Sequence, residues 1–221
     1  MQIVILAAGK GTRMGELTKN TPKPLLTYKG QTLLENKFNN LPEDTTEIIL
    51  VINYLGHKIK EKFGSSFNNI PIKYIEQPNM NGTADALWQC RDVLSGPFMV
   101  LMADDLYSKT DLDKLAKTNP NDWAVLVYPD KPGTKAGKMI TDSQGRLIEI
   151  YNDLDGTTKH NLLYTGACVL TPEVFTKEMV KTIGGEYGLP QTFVQFAKEK
   201  NIWVLETKNW IRITKPEDLI K

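Results

Sequence analysis

The sequence predicts an α/β domain with a mixed, mostly parallel sheet, helices on both faces and an inserted antiparallel hairpin. Short, fully apolar runs alternate along the chain with segments whose apolar residues recur at a helical period. Strands that are apolar on both faces are typical of parallel sheets, which helices cover on both sides. Two alternating runs around Ser143-Gln144-Gly145 predict the hairpin. The 221 residues suit one large domain or at most two small ones.

The first half of the chain predicts strands that alternate with helices. Apolar or alternating runs predict strands at 2–7, 47–53, 70–76 and 98–104. Helical spacing predicts helices at 32–41, 57–63, 83–94 and 111–117. Thr32 and Glu35 stand in capping-box spacing, which marks the start of the first of these helices.

The second half contains the hairpin and further strands. Strands are predicted at 123–129, 162–170 and 202–206, and the hairpin at 138–152. Thr171-Pro172-Glu173 has the pattern of an N-cap, a proline at the first helical position and an acid in the first turn. Helices are therefore predicted at 171–183, at 189–200 and from Thr214-Lys215-Pro216-Glu217 onward.

Composition and charge exclude several classes of protein. Hydrophobic residues make up 41% of the chain and charged residues 24%, which is the balance of an ordinary globular protein. A net charge of +1 gives no reason to expect a nucleic-acid or membrane partner. The first residues lack the features of a signal peptide, and no apolar run approaches the length of a membrane span. We therefore expect a cytoplasmic protein.

The cysteines and histidines do not predict a metal or redox site. Cys90 and Cys168 lie far apart in apolar segments, so buried free thiols are expected. His57 and His160 have no partner at metal-ligand spacing, and neither is expected to be catalytic.

The stretch LAAGKGTRMGELTKNTPKPLL, at residues 6–26 after the first strand, is rich in glycine and cations. Its spacing fits neither a Walker A loop nor a dinucleotide fingerprint, because the Gly-Lys-Ser/Thr run and the third glycine are missing. Gly9 and Gly11 would let main-chain N–H groups approach an anion closely, while Arg13 and Lys23 add charge. The prolines on either side of Lys23 stiffen its backbone. The stretch predicts a phosphate loop, with a merely solvated basic loop as the alternative.

Several segments, in this order along the chain, resemble the signature of the sugar-1-phosphate nucleotidylyltransferases. The resemblance begins in the opening loop and extends over most of the chain. The matching segments are LAAGKGTRM (6–14), TPKPL (21–25), QPNMNGTADAL (77–87), VLMAD (100–104), YTG (164–166) and WIRITKPEDL (210–219).

The resemblance implies a fold and an activity. The family's fold is a single Rossmann-like α/β domain with a mixed sheet, here residues 1–221. Its members condense a nucleoside triphosphate (NTP) with a sugar 1-phosphate and release pyrophosphate, with Mg²⁺ as cofactor. The implied partners are an NTP and a small phosphorylated acceptor, with no nucleic acid and no membrane, and a homo-oligomer is left open.

The resemblance also implies roles for single residues. Asp104, at the end of a buried strand, is expected to ligate Mg²⁺, with Asp105 as the second choice. The implied catalytic residues are Arg13, Lys23 and Asp104. The implied nucleotide-binding residues are Leu6, Ala8, Gly9, Gly11, Thr12, Arg13, Gln77, Gly82 and Thr83. The implied acceptor-binding residues are Gly137, Thr165, Gly166 and Arg212.

The chain departs from the family pattern on the acceptor side. Family members commonly carry an acid two residues after a tryptophan near the end, where this chain has Arg212 after Trp210. The second metal contact would then be missing, or would come from Asp85 or Asp105. Arg212 resembles instead a residue of the cytidylyltransferases that activate methylerythritol phosphate, where it could bind the acceptor phosphate. A surface arginine on an edge strand is the simpler alternative.

Two other functions therefore stay open beside the sugar-phosphate reaction. One is a cytidylyltransferase for a non-sugar acceptor such as phosphocholine or a polyol phosphate. The other is a non-catalytic nucleotide-binding protein, which the loss of the second acid would favour. The family's Glu-Lys pair after the hairpin is also unmatched, because the residues at 150–153 are Ile-Tyr-Asn-Asp.

Overall fold

The computed structural model describes residues 1–131, 136–153 and 155–220, in which strands and short helices alternate. The strands are β1 (Gln2–Leu6), β2 (Thr27–Tyr28), β3 (Gln31–Thr32), β4 (Glu47–Ile52), β5 (Ser66–Phe67), β6 (Ile70–Glu76), β7 (Phe98–Met102), β8 (Asp105–Leu106), β9 (Trp123–Pro129), β10 (Ala136–Thr141), β11 (Leu147–Asp153), β12 (Leu162–Leu170), β13 (Ile202–Glu206) and β14 (Ile211–Arg212). The α-helices are α1 (Leu33–Asn39), α2 (Gly56–Phe63), α3 (Thr83–Trp88), α4 (Lys109–Ala116) and α5 (Leu189–Phe193). Helices of the 3₁₀ type lie at Thr12–Thr18, Lys23–Leu25, Pro172–Thr176, Val194–Phe196 and Pro216–Ile220.

A mixed sheet of ten strands forms the centre of the described residues, in the order β11-β10-β12-β7-β1-β4-β6-β5. β9 pairs with β12, and β13 pairs with β9. The pairs of β1 with β4, β1 with β7, and β4 with β6 are parallel. β12 is antiparallel to β7, and β10 and β11 form the predicted hairpin. This confirms the predicted single α/β domain.

Helices cover both faces of the sheet, as the apolar strands predicted. Leu34 of α1, Ile59 of α2 and Leu112 of α4 pack on one face, against residues such as Ile3 and Ile5 of β1. Leu87 of α3 and Phe193 of α5 pack on the opposite face, against Val4 and Leu6 of β1. No helix in the described part of the chain is both long enough and apolar enough to cross a bilayer.

Most predicted strands are present, whereas several predicted helices are shorter. The helix predicted at 83–94 ends at Trp88, because later amide groups donate to carbonyls three residues back, as Cys90 N does to Leu87 O. The helix predicted at 189–200 is α5 followed by a 3₁₀ turn. The predicted last helix is also a 3₁₀ helix, at Pro216–Ile220.

The helix predicted from Thr171 to residue 183 is wrong beyond its first turn. Only Pro172–Thr176 is helical, and the backbone at Lys177 is extended. The Thr171 hydroxyl caps nothing, because it accepts a hydrogen bond from Trp123 Nε1 at 2.9 Å. The later part of the segment bonds elsewhere, with Lys181 paired to Tyr187 in an isolated bridge.

β12 contains an irregularity where it passes the end of β7. One of its edges pairs with β9, and the register of that pairing shifts between Tyr164 and Cys168. Gly166, within this bulge, has a φ of +85°, which favours glycine. A Cβ at Gly166 would lie 2.2 Å from Cγ of Met102, so the bulge packs directly on the end of β7.

Candidate active site

Two adjoining cavities lie where the parallel strands β1, β6 and β7 end. Their volumes are about 210 Å³ and about 460 Å³, and both are lined by Leu6, Gly9, Arg13 and Met102. Open α/β sheets bind ligands at such carboxyl ends. The predicted catalytic residues line the smaller cavity, namely Arg13, Lys23 and Asp104, together with Gly11 and Thr12. The remaining predicted nucleotide-binding residues line the larger one, namely Ala8, Gln77, Gly82 and Thr83.

The loop after β1 is shaped by a glycine that packs against the lysine. Gly11 has a φ of +65°, and a Cβ on it would lie 2.9 Å from Cβ of Lys23. The Thr18 hydroxyl donates to the Gly11 carbonyl at 3.1 Å and ties the two ends of the following 3₁₀ helix together. Gly9, by contrast, has open space around it. The absence of a side chain at Gly11 therefore allows the loop to pack closely against Lys23.

Lys23 is a buried cation held from two sides. Only 6% of the surface of Lys23 is exposed. Its ammonium donates to Oδ2 of Asp104 at 2.5 Å and to the carbonyl oxygen of Ile213 at 2.5 Å. The Asp104 side chain keeps 30% of its surface exposed toward the cavity. The pair thus presents a fixed positive charge and a reachable carboxylate at one point of the cavity wall.

A second carboxylate lies beside the first but is buried. β8 and β14 pair antiparallel so that Asp105 stands opposite the exposed Arg212. Burial raises the pKa of the Asp105 carboxyl to about 7, and the negative charge of Asp104 adds to the rise. The cations of Lys37, Arg212 and Lys23 oppose this rise in pKa. Asp105 is therefore easier to protonate than an ordinary aspartate.

Lys37 is a functional candidate that the sequence reasoning missed. It belongs to α1, is 2% exposed, and its ammonium donates to the main-chain carbonyl of Asp105. Burial lowers the pKa of the Lys37 ammonium to about 8, although the Asp105 and Asp104 carboxylates favour its charged form. The available signal was its position among Leu33, Leu34 and Phe38, on the face of α1 that becomes buried.

The larger cavity is built around Gln77. Its residue is 3% exposed, and its amide nitrogen donates to Oδ2 of Asp85 at 2.7 Å and to the Gly82 carbonyl at 3.1 Å. Both amide hydrogens are thus engaged, which leaves the side-chain carbonyl oxygen to accept from a ligand. Asp85, one of the two alternatives for a second metal contact, is committed to Gln77, whereas Asp105 lies next to Asp104.

Glu186 and Tyr187 lie along one side of the larger cavity. Gly82 has a φ of +110°, and a Cβ on it would lie 2.4 Å from the carbonyl oxygen of Tyr187. Ala84 N donates to that carbonyl at 3.0 Å, and Tyr187 N donates to Asn81 O at 2.7 Å. Glu186 lines the cavity beside them. These contacts were not predicted, because the sequence pattern gave no structure to this segment.

None of the predicted acceptor-binding residues is among the described residues that line the two cavities. The Thr165 side chain is buried and its hydroxyl donates to Leu126 O at 2.9 Å. Gly166 lies in the bulge against Met102. Gly137 lies in β10 opposite Asn152, and Arg212 is exposed opposite Asp105. These four assignments stay predictions.

The carboxylates fit a Mg²⁺ ion whose other ligands come from a substrate. Among the described residues there is no group of three or more histidine, cysteine and acidic side chains that could hold a metal alone. Mg²⁺ commonly binds through one or two carboxylates together with phosphate oxygens and water. Asp104 supplies a reachable carboxylate at the wall of the smaller cavity, which together with phosphate oxygens is sufficient for a site of that kind, and Asp105, the second choice, is buried next to it.

Cys90 and Cys168 are buried free thiols, as expected. Burial raises the pKa of each thiol to about 12. Neither cysteine lines the two cavities among their described residues. The thiols therefore take no part in the site.

Comparison with known proteins shows which family the sequence matches. A family model described as "Nucleotidyl transferase" matches residues 2–203. The chain is 31% identical over 225 residues to the bifunctional protein GlmU of Methanococcus aeolicus, covering 100% of this chain and 53% of that protein. It therefore spans about half of that relative's length. It is 29% identical over 180 residues to the UTP–glucose-1-phosphate uridylyltransferase AglF of Haloferax volcanii, covering 79% of this chain and 74% of that protein.

A solved structure shares the fold. A Bacillus anthracis protein described as a glucose-1-phosphate thymidylyltransferase, crystallised in complex with a sucrose, superposes with a TM-score of 0.84 at 22% identity. The superposition covers 100% of this chain and 92% of that one. At this level of identity the likeness shows the common architecture.

Proposed function

This chain belongs to the nucleotidyl transferase family, and we propose that it transfers a nucleoside monophosphate from an NTP to a sugar 1-phosphate. In this reaction an oxygen of the acceptor phosphate attacks the α-phosphorus of the NTP in line. The new O–P bond forms as the bond between the α-phosphorus and the bridging oxygen breaks, and pyrophosphate leaves. The observation that carries the proposal is the Lys23–Asp104 pair at the wall of a cavity that continues into the Gln77 cavity.

The nucleotide side of the proposal uses both cavities. The larger cavity would take the base, with the Gln77 carbonyl oxygen and the backbone near Gly82 as its polar contacts. The smaller would take the phosphates, with the amides of the Gly9–Gly11 turn and the Arg13 guanidinium around them. The shared residues Leu6 and Met102 would lie between these two parts of the nucleotide.

Lys23 and Asp104 would act on the reacting phosphate. Phosphoryl-type transfer depends mostly on positioning and on electrostatic stabilisation of developing charge. The Lys23 ammonium is already fixed by two hydrogen bonds, so little reorganisation is needed when charge develops on the α-phosphate. Mg²⁺, when bound, would neutralise charge on the phosphate oxygens, and Asp104 with Asp105 would hold it.

The acceptor side rests on Arg212 and on the Thr165–Gly166 turn. Because the Thr165 hydroxyl is engaged with Leu126, its contact to an acceptor would go through the main chain. Arg212 would contribute a cation to the acceptor phosphate from the short β14 strand.

The proposal also covers the extent of the domain and its location. Residues 1–221 would form one nucleotidyltransferase domain, of which 132–135, 154 and 221 lie outside the described residues. The protein would be located in the cytoplasm.

The test is a screen of the four NTPs against a panel of phosphorylated acceptors in the presence of Mg²⁺. Pyrophosphate release is the measured quantity, and UTP with glucose 1-phosphate is the first pair. We expect turnover with a sugar 1-phosphate. No turnover with any pair, in protein shown to be folded by circular dichroism, would overturn the proposal.

Variants of the central pair test the catalytic roles. Lys23→Met and Asp104→Asn should each lower turnover by about 10²–10³-fold, because the first removes the cation that would stabilise charge on the α-phosphate and the second removes the carboxylate that would hold Mg²⁺. Lys19→Met is a matched control, since Lys19 forms only an exposed ion pair with Glu16. Rates within twofold of wild type in either variant of the pair would contradict the assigned roles.

Arg212 favours a second candidate, a cytidylyltransferase for a non-sugar phosphate. Arg212 is paired with Asp105 between β14 and β8, and it occupies the position at which the family pattern has an acid. Turnover with CTP alone, on acceptors such as phosphocholine or a polyol phosphate, would select this candidate. Tight NTP binding without any turnover would instead select a non-catalytic nucleotide-binding protein.

A further inference from the structure

The bulge in β12 contains a main-chain carbonyl, that of Thr165, which accepts a hydrogen bond from a side chain outside the sheet. Between Tyr164 and Cys168 the pairing of β12 with β9 shifts register, so the ladder of hydrogen bonds is interrupted at Thr165. A buried carbonyl needs a partner, and a side chain supplies it here. The Tyr107 hydroxyl donates to Thr165 O at 2.8 Å.

Tyr107 connects this bulge to the segment that carries Asp104. It follows β8 in the chain, three residues after Asp104, and its side chain is buried with 4% of the residue exposed. A Cβ at Gly166 would lie 3.3 Å from the Tyr107 hydroxyl, so the bulge packs on the tyrosine as well as on Met102. The bulge and the carboxylate segment are therefore joined by one side chain.

Lys37 fixes the same segment from the helix beneath it. Its buried ammonium donates to the Asp105 carbonyl and lies 4.5 Å from the centre of the Tyr107 ring. A cation over the face of a tyrosine ring is attracted to it, most strongly where water is excluded. One lysine of α1 thus holds both the backbone next to Asp104 and the ring that reaches Thr165.

Resting on the proposed function, we infer that Lys37 and Tyr107 are positioning residues that hold the Thr165–Gly166 turn at a fixed place relative to Asp104. The acceptor phosphate would be presented by the turn, and the reacting phosphate of the NTP would lie at Asp104. In-line attack requires these two parts to be held within a fraction of an ångström. Neither side chain lines the described walls of the two cavities, so both act through the backbone that they hold.

Tyr107→Phe is the decisive variant, because it keeps the ring over Lys37 and removes only the hydroxyl. We expect the KM for glucose 1-phosphate, or for the acceptor that the screen selects, to rise about fivefold, which is the value of one ordinary hydrogen bond. The KM for the NTP should stay within twofold. A substitution that only destabilised the fold would not raise the KM for the acceptor while leaving the KM for the NTP unchanged.

Tyr74→Phe is the matched control. The Tyr74 hydroxyl also donates to a main-chain carbonyl, that of Gly64 at 2.7 Å, but it belongs to β6. Its loss should leave both KM values unchanged. Equal kinetics for Tyr107→Phe and Tyr74→Phe, or an equal rise in both KM values of Tyr107→Phe, would overturn the inference.

Hydrogen exchange tests the inference without turnover. In the free protein, Tyr107→Phe should speed amide exchange over residues 163–168 several-fold, and Tyr74→Phe should not. If the wild-type enzyme shows no turnover, the proposed function fails and this measurement still decides the positioning role. Unchanged exchange in Tyr107→Phe would overturn that role whatever the activity.

A double-mutant cycle tests whether the two residues act as one unit. Lys37→Met should raise the acceptor KM in the same direction as Tyr107→Phe. The double variant should show an effect smaller than the product of the two single effects, because both act on one contact. Fully multiplicative effects would overturn the coupling, and the Tyr107→Phe comparison stands alone if Lys37→Met does not fold.

Discussion

At the scale of single residues, the site depends on ionisable groups that are buried and held by one another. Lys23 and Lys37 are both nearly inaccessible, and each donates to the Asp104–Asp105 segment, one to a carboxylate and one to a carbonyl. A buried charge is stable only when it is paired or hydrogen-bonded. The two lysines and the two aspartates therefore have to be understood as one electrostatic unit rather than as separate ligands.

Asp105 makes stability depend on pH. Its folded pKa of about 7 lies above its ordinary value of 3.8, so the stability it contributes is complete below pH 4 and is lost as the pH rises through 7. As the pH rises from 5 to 8, the free energy of unfolding of wild type should therefore fall by about 1–3 kcal/mol relative to that of Asp105→Asn. Urea denaturation at the two pH values measures this difference.

The matched control for this prediction is Asp92→Asn, whose side chain is 87% exposed. It should leave the difference between pH 5 and pH 8 unchanged. A stability difference between Asp105→Asn and wild type that is the same at both pH values would contradict the raised pKa.

Gly82 occupies a position at which no side chain fits. Gly82→Ala places a Cβ against the carbonyl of Tyr187 and adds strain at a φ of +110°. We expect a loss of about 2–3 kcal/mol of unfolding free energy, measured by urea denaturation, and weaker NTP binding, measured by calorimetry. Gly64→Ala has a similar positive φ with open space around it, and should cost less and leave binding intact. Equal losses in the two variants would contradict the argument from close packing.

At the scale of elements, local signals succeeded where side chains satisfied their own helix. The capping box of α1 is present: the Thr32 hydroxyl accepts from Glu35 N at 3.1 Å, and Thr32 N donates to the Glu35 carboxylate at 2.7 Å. The same kind of signal at Thr171 failed, because its hydroxyl accepts from Trp123 across the core. A capping residue therefore predicts a helix only if no tertiary partner takes its hydroxyl.

The capping box also holds the helix that carries Lys37. Thr32→Ala should lower the free energy of unfolding by about 1 kcal/mol, the usual cost of losing an N-cap. Thr32→Ser keeps the hydroxyl and is the matched control. Urea denaturation compares the two variants, and identical midpoints for Thr32→Ala and wild type would show that the cap adds nothing to stability.

At the scale of the whole molecule, the sheet brings distant segments together at one edge. The loop after β1, the end of β7 and the chain near β14 meet at Lys23, whose partners are 81 and 190 residues away in the sequence. These contacts exist only when β1 and β7 are neighbours in the sheet. The site is therefore expected to form and to be lost together with the global fold.

The buried thiols report that global fold. Cys90 and Cys168 are fully buried, and burial raises the pKa of each to about 12. We expect neither to react with a thiol reagent at pH 8 in native buffer, and both to react with the same urea midpoint as the loss of circular dichroism. Rapid labelling of either thiol before that transition would show that its surroundings open locally.

Much of the fold followed from sequence patterns because short apolar runs mark most of the strands. The runs at 123–129, 162–170 and 202–206 match β9, β12 and β13 without a shift in their ends. Their apolar residues bury on both faces, so the same pattern that predicts a strand also stabilises it. The prediction of a mostly parallel sheet with helices on both faces needed only this periodicity.

The sequence also predicted a phosphate loop after β1, whereas it did not predict the electrostatics of the site. Glycine spacing and the prolines around Lys23 predicted a phosphate loop, and several matching segments carried the resemblance to a known family. Residue type and spacing do not encode which side chains lose water, and so gave no sign of the raised pKa of Asp105 or of the role of Lys37. The commitment of Thr165 and Gln77 to other protein groups was equally hidden.

Sequence patterns alone predicted the α/β architecture and a phosphate loop, and the family resemblance implied separate roles for Lys23 and Asp104. The assembled fold is what brings Lys23 into contact with Asp104, Asp85 to Gln77, Lys37 to the Asp105 carbonyl and the Tyr107 hydroxyl to the Thr165 carbonyl. The difference arises from the separation along the chain over which each kind of interaction acts. Periodicity, capping and turn chemistry act between neighbours in the chain, whereas desolvation and hydrogen bonds between elements arise only when the sheet has assembled.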